Sequence, residues 1–201
     1  MTENPASGRD SSRTVVRSPL CGIFLVGFMG AGKTSVGRAL AEKLAWDFED
    51  LDTRIEAREG LTVAEIFRKH GESGFREREH VALRTLLEEH DSTSPIVVAL
   101  GGGAFVQPEN MSLLSLAERP SVFLDTPVED LWERCKATGE PERPLRTDPV
   151  QFRALHERRL AHYEKAAIRI ETAGKTIQQI AEEIVQILDL QSRVAHKEPT
   201  E

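Results

Sequence analysis
The run Gly27-Phe28-Met29-Gly30-Ala31-Gly32-Lys33-Thr34 follows the apolar stretch Cys21-Gly22-Ile23-Phe24-Leu25-Val26 without a break. A strand that runs into a glycine-rich loop closed by lysine and a hydroxyl residue is the context a phosphate-binding loop requires. It restricts the fold more than any other part of the chain, because such a loop works where a strand ends and a helix begins. Its glycines let backbone N–H groups turn inward around phosphate oxygens, Lys33 adds a point charge, and the helix opening there presents its positive dipole end. The reading is a nucleoside triphosphate on the loop, with the Thr34 hydroxyl in position for Mg²⁺.

Five short apolar runs recur along the chain: Leu20 to Val26, Phe48 to Leu51, Ile96 to Leu100, Val122 to Leu124 and Ile168 to Ile170. Segments of helical periodicity separate them, which predicts an α/β fold with a parallel sheet covered by helices. Val36, Leu40 and Leu44 form one buried stripe on a helix over Lys33 to Leu44. Further helices are expected over Val63 to His70, Gly74 to Glu89, Pro127 to Lys136, Pro149 to Glu164 and Thr176 to Leu190. A chain of 201 residues, 39% hydrophobic, can bury one good core and is too short for two full enzyme domains.

The expected organisation is a polar, disordered tail over residues 1–18, one domain over 19–190, and a second polar tail over 191–201. Residues 138–149, rich in Gly, Pro and charge, read as a mobile lid, of the kind that keeps water from a transferring phosphoryl group. A net charge of −7 argues against broad nucleic-acid binding. No apolar stretch is long enough to span a bilayer, and Cys21 and Cys135 match neither a metal pattern nor a disulfide framework. Together these suggest a cytoplasmic protein.

What the phosphate is used for depends on residues elsewhere. The second strand is read as Phe48-Glu49-Asp50-Leu51-Asp52, so alternation puts Asp50 and Asp52 on one side, facing the loop beyond the carboxyl ends of the strands. One acid could hold hydrated Mg²⁺ and the other orient or deprotonate an acceptor hydroxyl. Alternatively Asp52 could simply cap the helix that follows. Gly101-Gly102-Gly103 ends another strand and offers backbone that a ligand can approach closely. Arg76, Arg143 and Arg159 would imply an anionic acceptor if two of them converged, since guanidinium forks grip carboxylate and phosphate; singly, each fits a solvated helix face as well.

With these residues in their order, the chain resembles the shikimate kinase family from about Leu20 to Leu190. The resemblance is carried by the loop, by Asp50-Leu51-Asp52 with Ile55-Glu56, by Gly71-Glu72-Ser73-Gly74-Phe75-Arg76 with Glu79, by the Gly101 triplet before Ala104, by Arg143-Pro144-Leu145, and by Arg159 before Tyr163. It implies a three-layer P-loop kinase fold with a five-stranded parallel sheet flanked by helices, plus the mobile lid. It also implies transfer of the ATP γ-phosphoryl group to the 3-hydroxyl of shikimate, in chorismate and aromatic amino acid biosynthesis, by a monomer that engages neither membrane nor nucleic acid.

By the same resemblance Gly30, Ala31, Gly32, Lys33, Thr34 and Ser35 contact nucleotide, Arg134 packs against adenine, and Thr34 and, through water, Asp50 hold Mg²⁺. Asp52 contacts the hydroxyl, and Arg76 and Arg159 grip the carboxylate with help from Gly102 and Gly103. Glu79 holds Arg76, Phe67 and Phe75 wall the ring, and Arg143 reaches the transferring phosphate. Lys33, Asp52 and Arg143 are the catalytic set. The family pattern Arg-Pro-Leu-Leu is broken here by Arg146. Two other readings keep the loop: a kinase for another small hydroxy acid such as gluconate, and a nucleotide-binding regulator that has lost catalysis.

Overall fold
A computed structural model describes residues 20–90, 94–137 and 148–190. Five strands form one sheet: β1 (Gly22–Val26), β2 (Asp47–Asp50), β3 (Ile96–Ala99), β4 (Ser121–Asp125) and β5 (Ile168–Glu171), in the order β2-β3-β1-β4-β5. Every pairing is parallel. The central strands β1 and β3 are buried along their whole length, as strands covered on both faces must be. The edge strands β2 and β5 carry most of the exposed, charged positions, which discourages further pairing.

The sheet order explains where a site must lie. Beyond the carboxyl end of β1 the chain order reverses, with β3 on one side and β4 on the other, and such a switch point leaves a crevice. Leu25 and Asp50 are both in register with Ala99, so β1, β3 and β2 end at one level. The loop after Val26, the glycines after Leu100 and the turn after Asp50 therefore leave the sheet side by side.

All five strands lie where the apolar runs predict them. The helices α1 (Lys33–Leu44), α5 (Val128–Ala137), α6 (Pro149–Tyr163) and α7 (Ile177–Ile187) agree with expectation within a few residues. The two helices expected between residues 63 and 89 join as α3 (Val63–Glu89), broken at Gly71, whose φ of 69° and ψ of −177° lie outside helical space. Thr62 starts α3 with a capping box, its hydroxyl accepting from the Glu65 amide while the Glu65 carboxylate accepts from the Thr62 amide. Helices α2 (Leu51–Glu59) and α4 (Pro108–Leu116), and a 3₁₀ turn at Ala104–Val106, have no counterpart among the predicted elements.

One expectation needs correcting. The second strand stops at Asp50 rather than running through Asp52, so Asp52 sits in the first turn of α2 and does not share a strand face with Asp50. The cause is local: the Asp50 carboxylate accepts hydrogen bonds from the amides of Asp52 and Thr53 at 3.0 and 3.4 Å, ending the strand and starting the helix. The helix cap is thus Asp50, not Asp52.

Below the loop, Phe28 is buried and meets Phe152 of α6 edge to face at 5.0 Å, while Trp132 of α5 meets Phe152 at 5.1 Å. These rings tie the loop to the helices before and after residues 138–147. The predicted tails, Arg143 and Arg146, and all but Asp148 and Pro149 of the predicted lid lie outside the described residues. Among the described residues no helix is long and apolar enough to cross a membrane.

Candidate active site
The phosphate-binding loop adopts the form its glycines anticipate. Gly30 and Gly32 have φ values of 82° and 85°, in the left-handed region where a side chain is strained. Gly32 precedes the first turn of α1 and brings no side chain to cap it, so the amides at this helix start are left for an anion. The Lys33 ammonium donates to the carbonyls of Gly27 and Phe28 at 2.9 and 3.0 Å, curling over the loop. Ser35 and Thr34 follow, exposed, in the first turn of α1. From α5, Arg134 Nη1 reaches the Gly30 carbonyl at 3.4 Å, at the rim of the loop.

Thr34 Oγ1 donates to Asp50 Oδ2 at 2.7 Å, while Asp50 Oδ1 caps α2. One carboxylate thus links the helix that begins at the loop to the helix that begins at the next strand. A hydroxyl and a carboxylate side by side, both oxygen donors next to a phosphate loop, suit Mg²⁺, which keeps much of its water and is shared with phosphates.

The other wall of the crevice is built around the glycine triplet. A Cβ on Gly101 would stand 2.7 Å from Asp52 Oδ1 and 3.0 Å from Glu79 Oε1, so both carboxyl groups lie against this backbone. A Cβ on Gly103 would collide with Nη2 of Arg76 and come within 2.7 Å of Cζ and Nη1; the guanidinium lies directly on the glycine. At Gly102 the carbonyl accepts from Arg159 Nη1 at 3.2 Å and from the Tyr163 hydroxyl. A Cβ there would stand 3.5 Å from the Met29 amide nitrogen, so the triplet touches the phosphate loop itself. Arg76 and Arg159, far apart in sequence, therefore converge on three consecutive residues beside Asp52.

Arg76 is fixed by Glu79, which is fully buried and accepts from Nη1 at 2.8 Å. Burial pushes the Glu79 carboxyl up to about 7 against the opposing pull of Arg76, and the nearby Asp52 charge adds to the rise. Its second oxygen, Oε1, is buried without a hydrogen-bond partner among the described residues. Tyr163 is held at about 12, chiefly by burial, so its hydroxyl is a permanent donor to Gly102. Phe67 and Phe75 stack at 4.6 Å across the break at Gly71, with Arg76 over the Phe75 ring at 5.2 Å.

The structure brings together Lys33, Thr34, Asp50, Asp52, Arg76, Arg134, Arg159, Gly102, Gly103, Phe67 and Phe75; Arg143 lies outside the described residues. Sequence reasoning gave Tyr163 no role. A signal was present, because the single tyrosine of the chain stands four residues after Arg159 and so on the same helix face.

Comparison with known proteins bears on the family of the chain. The family model described as shikimate kinase matches residues 29–189. A shikimate kinase of Persephonella marina is 43% identical over 81% of this chain and 96% of its own length. One from Thermus thermophilus is 40% identical over 88% and 95%. Among solved structures, shikimate kinase from Acinetobacter baumannii in complex with shikimate superposes with a TM-score of 0.77 at 39% identity, covering 85% of this chain and 94% of that one. A gluconokinase from Sinorhizobium meliloti shares the fold at a TM-score of 0.56 and 19% identity, covering 91% of this chain and all of its own.

Proposed function
Since the chain belongs to the shikimate kinase family, an ATP-dependent phosphotransferase acting on an alcohol group, we propose that the crevice between the phosphate loop and the glycine triplet carries out that transfer with the residues described above. The reaction moves the γ-phosphoryl group of ATP to the 3-hydroxyl of shikimate and yields shikimate 3-phosphate and ADP, a step of chorismate and aromatic amino acid biosynthesis. The observation that carries the assignment of roles is the convergence of Arg76 and Arg159 on Gly102 and Gly103 beside Asp52. Two guanidinium groups converging beside Asp52, one of them held by Glu79, fit an acceptor with a carboxylate at one end and a hydroxyl at the other.

In this reading Gly30, Ala31, Gly32, Lys33, Thr34 and Ser35 hold the phosphates, Arg134 packs at the adenine end, and Arg143 reaches the transferring group. Phe67 and Phe75 wall the ring. Asp52 aligns the acceptor hydroxyl and takes its proton as the new bond forms. Thr34 would hold Mg²⁺ directly and Asp50 through a water, and a bound ion there would supply charge neutralisation at the phosphate oxygens. Most of the catalysis is positioning and charge stabilisation, because phosphoryl transfer asks little covalent chemistry of the protein. The protein acts as a cytoplasmic monomer with no nucleic-acid or membrane partner.

The test is ADP release by folded protein supplied with Mg²⁺ and ATP, measured with shikimate and with a panel of other hydroxy acids that includes gluconate. Turnover that depends on shikimate is expected. Its absence, or a clear preference for another acid, would overturn the reading.

A further inference from the structure
Arg76 holds two carboxylates of opposite character. Glu79 grips Nη1 at 2.8 Å from a fully buried position and has nowhere to go. Glu72 accepts from Nη2 at 3.2 Å, and its side chain is 69% exposed. Glu72 comes immediately after the break at Gly71, where α3 resumes, and reaches Arg76 one turn later at the i,i+4 spacing. Nη2 is also the guanidinium atom lying closest to where a Cβ on Gly103 would stand. The corner of Arg76 that faces the acceptor wall is thus the one already engaged by an exposed surface carboxylate.

We propose that Glu72 is an internal stand-in for the carboxylate of the acceptor, occupying Arg76 Nη2 until the substrate displaces it. The inference rests on the assignment of Arg76 to the substrate carboxylate. An exposed ion pair is weak, whereas a fork shared with Arg159 against the triplet is partly shielded from water, so exchange runs toward a carboxylated acceptor. A neutral acceptor offers Nη2 no replacement charge and leaves Glu72 in place. Glu72 therefore keeps Arg76 oriented and partnered between turnovers and yields its place only to a charged acceptor.

The experiment compares Glu72→Gln with the wild-type enzyme in steady-state kinetics, with the KM for ATP as internal reference. Removing the competing charge should lower the KM for shikimate by about two- to threefold, the worth of an exposed ion pair. The carboxamide of shikimate, tested as a competitive inhibitor, should gain nothing from the substitution. Glu77→Gln, an exposed change of equal charge on the same helix, separates displacement from a general field and should leave the KM for shikimate where it was. An unchanged or higher KM in a Glu72→Gln protein of wild-type melting temperature would overturn the inference. So would equal tightening of the carboxamide, or an equal fall in the Glu77→Gln enzyme. Wild-type protein without shikimate-dependent turnover would overturn the functional reading as well.

Discussion
Gly103→Ala is the sharpest single test of how the acceptor wall is built. The added methyl would collide with Arg76 Nη2 and stand 2.7 Å from Cζ and Nη1, closer than side chains tolerate. A guanidinium at the end of a flexible side chain could ordinarily swing aside at little cost. This one cannot, because Nη1 is bonded at 2.8 Å to Glu79, whose carboxylate is fully buried and would lose its charged partner. The methyl must be accommodated by strain or by partial loss of that pair, for which overpacking costs of about 1–3 kcal/mol are typical. If the strain falls on the acceptor-bound state, kcat/KM for shikimate should drop about 5- to 150-fold at saturating ATP. The KM for ATP should stay close to wild type, since the contacts of Gly103 are to Arg76. A coupled ADP-release assay with each substrate varied in turn reads both quantities. On an Arg76→Ala background the added methyl has room, so Gly103→Ala should then cost almost nothing further. Additive losses in the double variant, or an unchanged KM for shikimate in the single one, would refute the reasoning.

Two further outcomes are expected. Asp52→Asn should lower kcat by about 10²- to 10⁴-fold while a fluorescent ATP analogue still binds, and retention of kcat within about tenfold would contradict its role at the hydroxyl. Glu79, raised from 4.5 to about 7, binds more protons in the folded than in the unfolded state between those two values, so its contribution to stability is full below 4.5 and is lost as pH rises through 7. The difference amounts to at most about 3 kcal/mol. Urea unfolding at pH 5 and 7.5 should show that decline in the wild type and a much smaller one in Glu79→Gln; the same decline in both would sink the assignment.

The three inner strands were legible because they are short apolar runs set between helices, and burial on both faces demands such runs of β1 and β3. The break in α3 was legible too, since Gly71 sits between two periodic stretches. Helix α2 was not: only Leu51 and Ile55 of its nine residues are buried, too few to display a period. That blind spot misplaced Asp52, because alternation along a strand was applied two residues past Asp50, where capping ends the strand. The meeting of Arg76 and Arg159 could not be read at all from local pattern, as it depends on α3 and α6 approaching one triplet from different parts of the chain. Tyr163 was detectable only as a neighbour of Arg159 on one helix face; its partner, the Gly102 backbone carbonyl, is not something that spacing reveals.

The adjacency of β1 and β3 has a consequence for how such a catalyst can change. The loop that carries the donor and the triplet that meets the acceptor leave neighbouring strands whose spacing is set by backbone hydrogen bonds, about 4.8 Å, and not by any side chain. Substitutions elsewhere can hardly stretch that gauge, so the distance the phosphoryl group travels is insulated from most of the chain. Arg76, Phe67, Phe75 and Glu72 ride instead on α3, and the Arg76 side chain is what lies on the triplet. Evolution or an engineer could therefore reshape the α3 side of the acceptor site by rewriting one helix while the transfer distance stays as it is.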